Sequence, residues 1–275
     1  IDNADLYETL ETQKKELEVA LATVEEARRK ERDMLDVMGH ELRTPISIVR
    51  NAMLMAQKRL TKDGEIPPDK LAHYIETSID SVRREIKLIE TLLTTAKVEG
   101  KRIQLDLTKV DLKDVIEDSF EGHHDQIKQK ENDIKITVNQ PEEDVFVYAD
   151  KVRTQEIMDN FFSNALKYTG SGEIIITLSE QDGHGRIDVK DSGIGISEKD
   201  LEKLGRKFFR AHGLYSSNFK GIKPSGTGLG LYVTFELAKV MNGRHEITSV
   251  VGEGSTFSFL LPLYKILVPG MELPV

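Results

Sequence analysis

Apolar residues in this chain hold a helical spacing from residue 6 to residue 96 and then abandon it. Leu10, Leu17 and Val24 recur every seven positions, interleaved with Leu6, Gln13, Ala20 and Ala27, in a background of Glu, Lys and Arg. Such a repeat lines one seam of a solvated coiled-coil helix, which we expect over residues 1–31. Steps of three and four continue through Leu35, Met38, Leu42, Pro45, Val49, Ala52 and Ala56. The stretch "TKDGEIPPDK", 61 to 70, combines a D-G with a P-P pair and reads as an interhelical loop. Beyond it Ala72, Ile75, Ile79, Val82, Ile86, Ile89, Leu93 and Ala96 form a second seam. Residues 32–100 therefore read as a helical hairpin. Ile46, Met53 and Leu60 add a further apolar stripe to its first helix. That is more apolar surface than one hairpin covers, so two copies are expected to pair as a four-helix bundle in a homodimer.

After "KVEGKR" the period becomes that of strands. "RIQLDL", "DIKITV", "VFVY", "EIIITLSE", "RIDVKD", "HEITSVV" and "STFSFLLPL" read as strands, with helices near 111–130, 151–168 and 228–241. Strands and helices mix without a βαβ repeat, which predicts an α+β sandwich with helices on one face over 102–264. A tail, 265–275, follows.

With 47 acidic against 38 basic residues the net charge is −9, which disfavours nucleic-acid partners. No long uninterrupted apolar run is present, and the apolar tail is broken by Lys265, Glu272 and prolines, so no bilayer-spanning segment is expected. The charged, helical start "IDNADLYETLETQKKELE" does not read as a signal peptide. A start without Met inside a helical pattern suggests an excised fragment with a sensory region upstream. The absence of cysteine excludes disulfides and Cys-based metal sites and agrees with a cytoplasmic setting.

Within "DVMGHELRTPISIV", 36 to 49, His40 lies off the seam and faces outward, while Pro45 lacks the N–H that the Glu41 carbonyl would accept. A bend beside His40 is expected. In the second segment, "DNFFSNALKYTG" puts Asn160, Asn164 and Lys167 on one helix face, where amide oxygens suit a hard cation such as Mg²⁺ and the ammonium suits phosphate. "DVKDSGIGIS" ends a strand at Asp191 before Gly193 and Gly195. A carboxylate there can accept a hydrogen bond from an exocyclic amine such as that of adenine. "GTGLGLYVTFELAKV" places Gly226, Gly228 and Gly230 just before an amphipathic helix, where free backbone N–H groups favour phosphate. The intervening 205–225, with Phe208 and Phe209, has the character of a lid.

Taken in this order, the stretches resemble the sensor histidine kinases of two-component signalling. "HELRTP" is similar to their H box, "NFFSNALKY" to the N box, "DSGIGI" to the G1 box, "KFFRAHG" to the F box and "GTGLGL" to the G2 box. "GEGSTFSFLLPL" resembles the closing strands. The resemblance implies a dimerising phosphotransfer hairpin followed by a Bergerat-type (GHKL) ATP-binding domain that uses ATP and Mg²⁺. It implies His40 as phospho-acceptor, Glu41 as the group managing the imidazole proton, and Thr44 as the residue orienting water for dephosphorylation of the partner. Asn160 would be catalytic and bind nucleotide, and Asn164 would be the Mg²⁺ ligand. The remaining nucleotide contacts would come from Lys167, Tyr168, Asp191, Gly193, Gly195, Ile196, Phe208, Phe209, Arg210, Gly226, Thr227, Gly228, Leu229, Gly230, Leu231 and Thr256. The implied partner is the receiver domain of a response regulator, toward which phosphatase activity is also expected. The alternatives are a GHKL-type ATPase of chaperone or topoisomerase type, expected to need a transducer domain after the ATP unit, and a catalytically inactive dimeric scaffold. A dead scaffold is expected to have eroded boxes, and here they are intact.

Overall fold

The computed structural model describes residues 3–211 and 227–264. The chain divides into two compact units, 1–88 and 89–275.

The first unit is built on α1 (Asn3–Asp63), which runs unbroken through Pro45, and most of α2 (Pro68–Glu99). Gly64, at φ 78°, ends α1 in the left-handed conformation and donates its N–H to the Leu60 carbonyl at 3.2 Å. Pro68 opens α2, where a missing N–H costs nothing. The helices fold back on each other: Arg59 Nε donates to Tyr74 Oη at 3.3 Å, and Pro45 and Val49 share a groove with Ser81 and Glu85. The first seam packs as its spacing implies, with Met38, Leu42, Pro45, Val49 and Ala56 half-buried and Ala52 buried. The second does not. The α2 residues turned toward the hairpin interior include Tyr74, Ser78 and the buried Ser81, whereas Ile75, Ile79, Val82, Ile86, Ile89 and Leu93 stay exposed, Ile86 at 51%. On α1 the expected extra stripe, Ile46, Met53 and Leu60, is exposed as well. No helix among the described residues is long and apolar enough to cross a membrane.

The second unit begins within α2, whose last turns bury Thr94, Thr95 and Val98. The helix then closes through Arg102 N–H to the Lys97 carbonyl at 2.8 Å and Lys101 N–H to the Val98 carbonyl at 3.0 Å, with Lys101 at φ 50°. This is the paired capping pattern that usually takes glycine at the left-handed position. Then come β1 (Leu107–Asp111), α3 (Leu112–Gly122), α4 (His124–Lys130), β2 (Ile134–Asn139), β3 (Phe146–Asp150) and α5 (Lys151–Tyr168). They are followed by β4 (Gly172–Gln181), β5 (His184–Asp191), α6 (Glu198–Leu201), α7 (Gly230–Val240), β6 (Arg244–Val250) and β7 (Gly254–Pro262). Five strands form one sheet in the order β2-β4-β5-β7-β6, parallel only between β2 and β4, while β1 and β3 form a separate antiparallel pair. Ile174, Ile176, Ile187, Val189 and Phe259 line the inner face, and α5 supplies Ile157, Met158, Phe161 and Phe162, all fully buried. This is the α+β sandwich that the pattern predicts.

Two boundaries differ from the sequence reading. "RIQLDL" is not a strand: Ile103, Leu105 and Leu107 pack alternately on the core, but pairing starts only at Leu107, opposite Asp150. Its partner β3 ends there, because Asp150 turns to N-cap α5, its Oδ1 accepting from Arg153 N–H at 3.1 Å. The helical stretch near 111–130 is two helices, divided at His123, whose φ of −110° and ψ of 10° leave the helical region.

Candidate active site

Helix α5 is amphipathic with its polar side at one end of the sandwich. Asn160, Asn164, Lys167 and Tyr168 are half-buried on it, while Phe161, Phe162, Ala165 and Leu166 anchor it in the core. The Asn160 amide nitrogen donates to Thr234 Oγ1 at 2.7 Å, and Thr234 Oγ1 donates to the Gly230 carbonyl at 2.9 Å. Asn160 Oδ1 then lies over Gly230, where an added Cβ would stand 2.7 Å from it. Glycine at 230 thus permits the close approach of the N-box amide to the start of α7. Asn164 makes no side-chain hydrogen bond among the described residues. The Lys167 ammonium stands 4.7 Å from the Tyr168 ring centroid.

Asp191, at the end of β5, is 5% exposed. Its Oδ1 accepts the Gly193 N–H at 2.8 Å. Burial pushes its carboxyl above the usual range, opposed by the backbone N–H groups of Gly193 and Ser255. The turn after it is held on two sides. Ile194 N–H reaches the Tyr168 carbonyl at 3.4 Å, and Ile196 N–H reaches Ser249 Oγ at 2.8 Å. Gly195, at φ 68°, sits so close to the end of β6 that a Cβ would fall 2.0 Å from the Val250 carbonyl oxygen. A buried carboxylate with a fixed backbone around it is a preorganised acceptor for an amine.

The F and G2 stretches touch directly. Phe208, at φ 60°, donates its N–H to the Gly228 carbonyl at 3.0 Å, and a Cβ on Gly228, at φ 71°, would strike Phe208 and Phe209. Thr227 Oγ1 accepts the Leu229 N–H at 3.2 Å. Phe208, Phe209, Arg210 and Leu231 are half-buried. Gly226 and most of the lid-like 205–225 lie outside the described residues.

Two residues expected at the site differ in placement from their neighbours. Thr256 pairs with Lys190 and Thr248, so it projects from the sheet face opposite to Asp191. Ser255, paired with Asp191 itself and 7% exposed, occupies the position on the site's face. The register of β7 decides between them, and alternation within "GSTFSF" carries that signal once Phe257 is taken as inward. Leu229 is fully buried and its N–H donates to Thr227 Oγ1 at 3.2 Å, which anchors the loop. Thr169, just beyond the end of α5, is fully buried, and its hydroxyl has no partner among the described residues.

In the first unit His40 is exposed on α1, as its position off the seam implies, and Glu41 beside it is half-buried. Thr44 Oγ1 donates to the His40 carbonyl at 3.0 Å, which places the hydroxyl one turn along the same side.

Comparison with known proteins fits both units. Residues 149–265 match the family described as "Histidine kinase-, DNA gyrase B-, and HSP90-like ATPase", and residues 30–101 match "His Kinase A (phospho-acceptor) domain". The chain belongs to the sensor histidine kinases. It is 30% identical over 274 residues to the sensor histidine kinase GacS of Pseudomonas protegens, covering 97% of this chain but 28% of that relative's length. Among solved structures, full-length ShkA in complex with AMPPNP superposes with a TM-score of 0.60 at 24% identity, covering 86% of this chain and 47% of that one. ThkA in complex with the response regulator protein TrrA gives 0.58 at 23% identity, covering 84% and 61%. These two establish that the histidine kinase chain shares their fold.

Proposed function

We propose that this histidine kinase chain phosphorylates His40 from ATP and passes the phosphoryl group to an aspartate of a response regulator. The observation that carries the reading is the joining of the N, G1, F and G2 stretches at one end of the second unit, with an exposed histidine on the hairpin. In this reading Asp191 accepts the adenine amine, the Gly228–Gly230 segment and Lys167 hold the phosphates, and Asn160 is oriented by Thr234. A divalent ion bound with the nucleotide would be held by the Asn164 side-chain oxygen together with the phosphates, a donor set that suits Mg²⁺, and would supply charge neutralisation there.

The neutral imidazole of His40 attacks the γ-phosphorus in line as the bond to the β-phosphate oxygen breaks, and ADP departs. Glu41 takes the proton from the other ring nitrogen. The phosphoryl group then moves from imidazole nitrogen to a carboxylate oxygen on the regulator, as the complex of ThkA with a response regulator supports. Residues 32–100 serve as the dimerisation and phosphotransfer hairpin and 102–264 as the ATP-binding domain. The exposed stripes on α1 and α2 favour a homodimer, since four helices bury what two leave open. The same hairpin, through Thr44, dephosphorylates the regulator, and the setting is cytoplasmic. Incubating the labelled chain with a panel of receiver domains and ranking initial transfer rates tests the proposal. Transfer to one receiver well above the others is expected, and absence of transfer to any aspartate contradicts it.

A further inference from the structure

The C-terminal end of α5 carries the nucleotide-facing Lys167 and Tyr168, yet the carbonyls of its last turn have few partners within the helix. A side chain from elsewhere meets two of them. The Lys130 ammonium, at the end of α4, donates to the Leu166 carbonyl and, at 2.8 Å, to the Thr169 carbonyl. Lys130 is itself on a fixed base. Asp133 N–H bonds the Lys130 carbonyl at 2.9 Å, and the Asp133 carbonyl accepts Gly172 N–H at 2.9 Å, which ties the turn to the first residue of β4. The parallel pairing of β2 with β4 starts at the same point, Ile134 opposite Gly172. The segment between α5 and β4 is thus clamped at both ends through the Lys130 turn. Tyr168, inside this clamp, offers its carbonyl to Ile194 N–H, and a Cβ on Gly193 would stand 2.5 Å from that oxygen.

We propose that Lys130 is a positioning residue for nucleotide binding: it fixes the last turn of α5, and through the Tyr168 carbonyl the G1 turn that holds Asp191. The chemistry favours this role. An ammonium at a helix C-terminus meets the negative end of the dipole, and its hydrogen bonds to two carbonyls are charge-assisted. Partial burial lowers the Lys130 pKa, opposed by the nearby Asp133 carboxylate.

This inference rests on the reading of the second unit as an ATP-binding unit, and the test separates the two. ATP affinity is measured by calorimetry on the whole chain for wild type, Lys130→Met and Lys130→Arg, alongside KM and kcat for autophosphorylation. Methionine keeps most of the aliphatic stem and removes the donors. Its expected effect is a rise of about tenfold in the ATP dissociation constant and in KM with kcat within about threefold, while arginine restores most of the affinity. A purely structural role would lower thermal stability and the active fraction without that split. If Lys130→Met is too unstable to measure, the arginine variant and Lys130→Gln, which retains amide donors on a shorter arm, are compared, and glutamine is expected to be the weaker binder. Wild-type binding with unchanged affinity in the methionine or glutamine variant overturns the inference. Failure of the wild type to bind ATP overturns the underlying reading instead.

Discussion

The side-chain amide of Asn160 on α5 and the hydroxyl of Thr234 on α7 are joined by a 2.7 Å hydrogen bond that links the N-box helix to the G2 helix. Thr234 also donates to the Gly230 carbonyl, so the amide, the hydroxyl and the opening turn of α7 form one chain of contacts. The consequence is that Asn160 Oδ1 is aimed by its neighbours before any nucleotide arrives. Two helices far apart in sequence are thereby joined as one element.

Gly230→Ala tests that coupling. Its Cβ would lie 2.7 Å from Asn160 Oδ1, and the movable partner is the amide. The helix can accept alanine, so the fold is expected to persist. Loss of roughly tenfold in Mg²⁺–ATP affinity, about 1.4 kcal/mol, is expected from the misdirected amide. Titration with and without Mg²⁺ measures it, and an unchanged metal-dependent affinity removes Asn160 from the phosphate end of the site.

Asp191→Asn addresses the adenine contact and has a pH signature. Replacing an acceptor-only carboxylate by an amide is expected to cost about 1.5–3 kcal/mol of ATP affinity, the range for hydrogen bonds to charged groups. The wild type should discriminate against GTP, which offers a carbonyl where ATP offers an amine. For stability the sign follows from the raised carboxyl pKa in the folded chain, caused first by burial. The folded state holds the proton more tightly than the unfolded state, so stability from this group is full below the ordinary carboxylate pKa and falls as pH rises through the raised value. Thermal melts should therefore show the asparagine variant gaining on wild type as pH rises from the carboxylate range toward neutrality. A gap that is constant with pH contradicts the burial of a charged Asp191.

Much of this was legible from spacing alone because helices and strands bury residues at different periods. The first α1 seam and the outward His40 followed from steps of three and four. The α2 seam was legible as a stripe, and it is exposed within the single chain. Periodicity shows which residues share a face, not whether that face meets the hairpin partner or another chain. Thr256 failed for a related reason: adjacent residues on a strand differ by a whole face, and only the pairing of Ser255 with Asp191 sets the choice. Lys130 and Thr169 were invisible because their significance comes from backbone carbonyls and burial that no residue pattern encodes.

Thr44→Ala should separate two activities of the hairpin. The hydroxyl donates to the His40 carbonyl, which leaves its lone pairs to accept a hydrogen bond from water beside a docked phospho-aspartate. Alanine favours helix over threonine by a few tenths of a kcal/mol, so the hairpin should not suffer. Autophosphorylation and transfer are expected within a few-fold of wild type, with dephosphorylation of the regulator slowed by about tenfold or more. The decay of purified phosphorylated regulator with each variant and ADP is the readout. Equal decay rates would leave Thr44 as a helix-face residue only.

In the proposed mechanism His40 receives the γ-phosphate. The most direct measurement of that step is the chemistry of the label after the chain is exposed to ATP carrying a labelled γ-phosphate, for wild type and His40→Gln. Histidine and nucleotide site belong to different units, so the variant should keep its ATP affinity within about twofold while losing all label. Wild type should carry phosphate that survives base and is released by acid, as a phosphorus–nitrogen bond requires. Acid-labile label retained by the glutamine variant, or acid-stable label on the wild type, would contradict the account.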